Sequence, residues 1–132
     1  MTIAYAYACI LIAALLPYLW TAICKSGGVR YDNRNPRAWL AKQEDPRLHR
    51  ANNAQLNAFE AFAPFAAAVL MAQAAGVDAA QVSWLAIAFV VLRLLHGILY
   101  LANKALLRSL VWGGGLACVI VLMVQAIVRI SG

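Results

Sequence analysis

The chain has 132 residues, 64% hydrophobic and 12% charged, with mean hydropathy +0.74 and a formal net charge of +6. A soluble globular domain is nearer half apolar and a quarter charged. These figures therefore exclude that class, together with disordered, collagen-like and disulfide-scaffold proteins. What remains is a small all-α integral membrane protein, short enough to be a single domain over residues 1–132.

Residues 1–24 carry no Asp, Glu, Lys or Arg, enough for one crossing of the hydrocarbon core. The run lacks a basic start and is longer than the apolar core of a signal peptide, so it reads as a retained first helix, bent near Pro17. Residues 25–50 form a polar connection: Gly27-Gly28 ends the first helix, and Pro36 and Pro46 punctuate the rest of the stretch. A second helical pattern starts at about Arg47 and runs to Gly76, uncharged from Ala61 to Val77. Gly76-Val77-Asp78 is a turn with Asp78 placed to cap the next helix.

The third apolar segment runs from about Ala79 to Asn103, interrupted only by Arg93 and His96. A linker around Lys104 leads to a fourth, uncharged from Ser109 to Gln125 and continuing to Arg129. Gly113-Gly114-Gly115 within it allows close helix approach. Trp20, Trp84 and Trp112 fall near segment ends and read as interface anchors. Cys9, Cys24 and Cys118 have no metal-ligand spacing, and the two inside apolar runs, Cys9 and Cys118, read as small hydrophobes.

The positive charge is unevenly placed. Seven of the eleven basic residues (Lys25, Arg30, Arg34, Arg37, Lys42, Arg47 and Arg50) lie in the first connection, none in the second, and Lys104 and Arg108 in the third. No aromatic stacking platform accompanies them, so they read as a membrane-flanking loop and not as a nucleic-acid surface. The positive-inside rule then makes the first and third connections cytoplasmic and puts both termini opposite. With no targeting or retention signal visible, a bacterial inner membrane is the expected location.

Glu60, Arg93 and His96 need explaining, because an ionisable residue at the centre of a spanning helix costs roughly 2.5–3.5 kcal/mol on insertion scales. Asn53, Asn57, Glu60 and Pro64 recur at spacings of 4, 3 and 4 on one face of the second spanning helix. Arg93, His96 and Tyr100 recur at 3 and 4 on one face of the third. Glu60 lies 16 residues before Gly76 and Arg93 13 residues after Ala80, roughly 24 and 20 Å at the helical rise. That allows a Glu60–Arg93 pair. Such a pair either glues two helices together or lines a polar cavity that opens to the cytoplasm and accepts an anion, with Arg30, Arg34 and Arg108 nearby. His96 reads mainly as a hydrogen-bonding neighbour of the arginine, and Tyr100 equally as a pocket hydroxyl or an interfacial aromatic.

Two stretches carry a resemblance. The run Asn53-Ala54-Gln55-Leu56-Asn57-Ala58-Phe59-Glu60-Ala61-Phe62-Ala63-Pro64-Phe65 resembles the second-helix signature of the MAPEG superfamily, the membrane-associated proteins of eicosanoid and glutathione metabolism. The run Arg93-Leu94-Leu95-His96-Gly97-Ile98-Leu99-Tyr100, with Arg108-Ser109 after it, is similar to its other signature. The resemblance implies a homotrimer of four-helix bundles, glutathione bound as co-substrate between neighbouring subunits near the cytoplasmic face, and transferase or peroxidase chemistry on hydrophobic electrophiles or lipid hydroperoxides. It implies that Asn57 and Glu60 hold the glutathione backbone, that Asn53, Arg93, His96 and Tyr100 line the same site, and that Arg108 stabilises the thiolate. Arg30 is a further carboxylate contact on this view. Asn53 stands where the family pattern has arginine, and the Tyr100–Arg108 separation differs from that of the family's enzymes. Those departures favour, as the alternative, a non-catalytic lipid-binding member of the same fold. A small proton-coupled exporter ranks below both, because the first helix has no membrane carboxylate.

Overall fold

A computed structural model describes residues 1–27 and 29–132; Gly28, half of the expected Gly27-Gly28 break, lies outside the described residues. The described residues form five helices: α1 (Ala4–Ser26), α2 (Pro36–Ala41), α3 (Pro46–Ala75), α4 (Ala79–Leu101) and α5 (Ala105–Ile130). Four of them, α1, α3, α4 and α5, are long and apolar enough to cross a membrane. The protein is a multi-pass integral membrane protein of the all-α class, with the four spans expected from the sequence.

Local chemistry sets the helix ends. Asp45 caps α3, its carboxylate accepting from the Arg47 N–H at 3.0 Å, and Pro46 fills the first helical position, where a missing N–H costs nothing. Gly76 closes α3 at φ 84°, a left-handed conformation that a Cβ would strain. Asp78 caps α4 as expected, accepting from the Gln81 N–H at 3.2 Å. α4 stops at Leu101, two residues before the expected Asn103, and Asn103 turns the chain at φ 58°. α5 starts at Ala105, directly after the expected linker around Lys104, and Ala105-Leu106-Leu107-Arg108 are strong helix formers.

The first connection holds a helix that the periodicity did not indicate. α2 begins on Pro36, and its Trp39 is buried against Cys24, Leu48 and Ala51 while the indole N–H donates to the Arg30 carbonyl at 2.9 Å. The loop is thereby folded onto the bundle end. Arg50 Nε on α3 reaches the Leu101 carbonyl at the end of α4, 3.4 Å away.

α1 packs on α3 and α4, α5 packs on α4 and α3, and α3 meets α4 through the middle. The main core joins Ala6, Cys9, Phe65, Val69, Phe89 and Leu122 with their neighbours, and the Phe65 and Phe89 rings stack with centroids 4.0 Å apart. Cys9 and Cys118 sit in that core as small hydrophobes. Trp20 is not an interface anchor. It is 3% exposed and packs with Leu16, Ala54 and Ala58, since the small side chains of α3 leave room for an indole inside the bundle. Gly97 on α4 completes that slot: a Cβ there would overlap the Trp20 ring. Trp84, by contrast, is exposed.

Gly97→Ala is expected to destabilise the protein in detergent by about 1–3 kcal/mol, the usual range for overpacking. Trp20→Phe in the same chain should recover part of the loss; a Gly97→Ala variant that melts like wild type contradicts the slot. A second expectation concerns Asp45. The Arg47 backbone N–H, and then the Arg47 side chain, hold its carboxyl below the usual range. A carboxyl lowered by folding stabilises above its unfolded pKa and loses that contribution as pH falls through its folded pKa. Asp45→Ala should therefore lower Tm at neutral pH, with the gap from wild type closing as pH drops below about 4. Asp45→Asn should keep most of the cap.

Candidate functional site

The bundle leaves a cavity of about 210 Å³ between α3, α4 and α5. Its polar part is Asn57 and Glu60 from α3 and Arg93 from α4; its apolar wall is Phe89, Trp112 and Val119 with their neighbours. α3 buries Leu48, Ala51, Ala54, Ala58 and Phe65 in the bundle. Asn53, Asn57, Glu60 and Pro64 therefore fall on another side of the helix, as their spacing requires. Pro64 has no N–H to give the Glu60 carbonyl, so this turn of α3 carries a freed acceptor beside the cavity.

The Glu60–Arg93 ion pair allowed by helical rise does not form. Among the described residues the only ion pair is Arg47–Asp45 at 3.2 Å. Arg93, 6% exposed, instead donates from Nη2 to Oδ1 of Asn57 at 2.7 Å. Asn57 lies one turn nearer the start of α3 than Glu60, and rise alone does not separate partners one turn apart. Glu60 stays exposed on the bundle surface while still lining the cavity. The structure thus has a buried cation bonded to a neutral amide, with an unpaired carboxylate beside it.

The other expected site residues lie outside the cavity lining. Arg108, in the first turn of α5, holds its guanidinium over the Tyr100 ring, 4.2 Å from the centroid. The His96 ring meets the Tyr100 ring edge-on at 5.6 Å, and His96 is buried with Nδ1 unpartnered. Asn53 is exposed one turn before Asn57. Neither His96, Tyr100, Arg108 nor Asn53 lines the cavity itself. Arg30 is exposed in the first connection, its carbonyl engaged by Trp39, and does not line the cavity of its own chain. His49, given little weight in the sequence, holds the Gln43 carbonyl at 2.8 Å.

Sequence reasoning missed the apolar half of the cavity. Trp112 reads as an interface anchor, yet it is half-exposed and forms part of the cavity wall with Leu116. The signal was the glycine run beside it. A Cβ at Gly114 would press on Leu92 at 3.2 Å, so α5 approaches α4 closely here, and a Cβ at Gly115 would come into ordinary contact with Phe89 and Arg93.

Four membrane-crossing helices with a buried arginine, an unpaired carboxylate and an apolar wall around one cavity define a small polytopic membrane protein with an amphipathic pocket. Sequence comparison matches residues 4–128 to the MAPEG family, and the chain belongs to it. The family includes glutathione-dependent transferases and peroxidases and also other members. No curated protein and no solved structure matches the chain.

The Asn57–Arg93 bond predicts a non-additive result. Removing one partner strands a buried polar group, whereas replacing both with apolar side chains removes the demand. Asn57→Leu with Arg93→Met should therefore be less destabilising than the sum of the single variants, by about 1–2 kcal/mol in a thermal-unfolding cycle in detergent. Strict additivity would contradict the bond.

Proposed function

We propose that the protein is a glutathione-dependent transferase or peroxidase that acts on hydrophobic electrophiles or lipid hydroperoxides from the bilayer. The observation that carries this reading is the two-sided cavity. Asn57, Glu60 and Arg93 offer hydrogen bonds and both charge signs to a zwitterionic peptide, and Phe89, Trp112 and Val119 offer an apolar wall to its reaction partner. Asn57 and Glu60 hold the glutathione backbone, and Asn53, Arg93, His96 and Tyr100 belong to the same site. Arg108 is the catalytic residue.

The chemistry needs no enzyme nucleophile. A free thiol has a pKa near 8.5 and is mostly protonated at neutral pH, and a fixed guanidinium favours the anion. The thiolate attacks an electrophilic carbon, forming the C–S bond as the leaving group departs with the bonding pair. With a hydroperoxide it attacks the terminal oxygen and the O–O bond breaks, releasing the alcohol. A second glutathione then displaces water from the sulfenic acid to give the disulfide.

On this proposal each chain is a single domain over residues 1–132 and three copies form a homotrimer. Glu60 and Asn53 are exposed on a spanning helix, and an ionisable group left to lipid costs about 2.5–3.5 kcal/mol at the helix centre. A second copy covering that face removes the cost, and its Arg30, free of the cavity in its own chain, completes the site from the first connection. The seven basic residues of that connection orient the chain with the first and third connections cytoplasmic, in a bacterial inner membrane. A second reading, a non-catalytic binder of lipid or another lipophile, is favoured by Asn53 at the place of the family arginine.

Conjugation of glutathione to an activated aryl halide, and reduction of a lipid hydroperoxide, by the protein in detergent separate the two. Arg108→Ala is expected to lower turnover by on the order of 10²-fold, the loss typical of one charge-stabilising donor, with glutathione binding changed far less. Equal turnover in Arg108→Ala removes that residue's role. Absence of turnover in wild type, with a lipid co-purifying, selects the binder.

A further inference from the structure

Tyr100 and Arg108 are eight positions apart, a spacing that on its own fixes no contact. The turn between α4 and α5 fixes it. Asn103 adopts φ 58°, the Asn103 N–H donates to the Tyr100 carbonyl at 3.1 Å, and the Lys104 N–H donates to the Leu99 carbonyl at 2.9 Å. The Arg108 N–H then donates to the Lys104 carbonyl at 2.9 Å, opening α5 at once. The first turn of α5 is thereby brought back beside the last turn of α4, and the guanidinium of Arg108 comes to rest 4.2 Å from the centroid of the Tyr100 ring. That is inside the separation of about 6 Å at which a ring face attracts a cation.

The ring is itself held. His96 meets it edge-on at 5.6 Å with 72° between the planes, and Tyr100 also packs against the cluster of Leu16, Trp20, Ala54 and Ala58. A buried aromatic edge on one side and an interior cluster on another leave the ring little freedom, so the cation above it is located by a rigid surface. The phenolic hydroxyl takes no part in a contact made by the ring face.

We propose that Tyr100 is a positioning residue that works through its ring and not its hydroxyl: the ring is the seat on which the Arg108 guanidinium is held for its task. His96 braces the seat through its edge-on contact with the ring. The seat stands independently of glutathione; only the statement that the seated guanidinium stabilises a thiolate rests on the function proposed above. On that footing, a guanidinium released from the ring stabilises the sulfur less, since small displacements of a catalytic group carry large rate penalties.

The test compares Y100F and Y100L in the full-length protein in detergent, by two readouts. The first, without glutathione, is the rate at which phenylglyoxal modifies Arg108, monitored by peptide mass spectrometry. Y100L should raise it about twofold or more, the factor given by a cation–π contact at the low end of its range. Y100F should match wild type. The second is the pH profile of glutathione conjugation: Y100L should move its midpoint up by about one unit, a tenfold loss of thiolate at neutral pH. Equal effects of Y100F and Y100L on Arg108 modification would assign the role to the hydroxyl and overturn the seat. So would no effect of Y100L.

If wild type neither binds nor turns over glutathione, the functional reading fails, while the modification rates still decide the seat. If Y100L does not fold, wild type labelled at arginine decides it. The Arg108 Nε–H resonance, assigned by its disappearance in R108K, is upfield-shifted by the ring current if the seat is occupied and unshifted if it is not.

Discussion

A guanidinium buried among spanning helices needs polar partners, and Arg93 has a direct one in its own chain, Asn57. A charge buried among spanning helices is expensive unless polar groups face it. α3 and α4 must consequently pack in the register that brings the two residues together. That register sets the rest of the polar arrangement. Glu60, one turn further along α3, is left unpaired on the rim of the cavity, and Phe89, one turn before Arg93, becomes its apolar wall. The packing that closes the bundle around this pair is made of small side chains and one large one, with Ala54, Ala58 and Gly97 accommodating Trp20.

The spans were legible in the sequence because hydrocarbon selects composition directly: an uncharged run of sufficient length has one use. The caps at Asp78 and Gly76 were equally readable, since each satisfies a local backbone need. What escaped was set by tertiary contact. Pro36–Ala41 is too short to show a period, and it is helical with Trp39 docked on Cys24 and Leu48. Trp20 has the amphipathic character of an interface residue, but the space made by residues far away in sequence draws it inside.

The polar face was legible in the same partial way. Helical spacing put Asn57, Glu60 and Arg93 on facing sides, which the fold confirms. Opposite charge suggested Glu60 as the partner of Arg93, yet the nearer amide has it. A buried arginine paired to a neutral acceptor keeps its positive charge available to a ligand, whereas a salt bridge to Glu60 would have neutralised it. Likewise the Tyr100–Arg108 spacing carried no information until the left-handed turn at Asn103 was known. The structure therefore adds to the sequence mainly which acceptor each cation has.

The central claim is that these cations and the free carboxylate serve a charged peptide ligand. Isothermal titration of glutathione into the purified protein in detergent tests it most directly, with an Arg93→Ala, Arg108→Ala double variant as the control. Saturable binding to wild type that is lost in the variant is the predicted result. No heat of binding at millimolar glutathione, or equal binding in both proteins, would contradict the account.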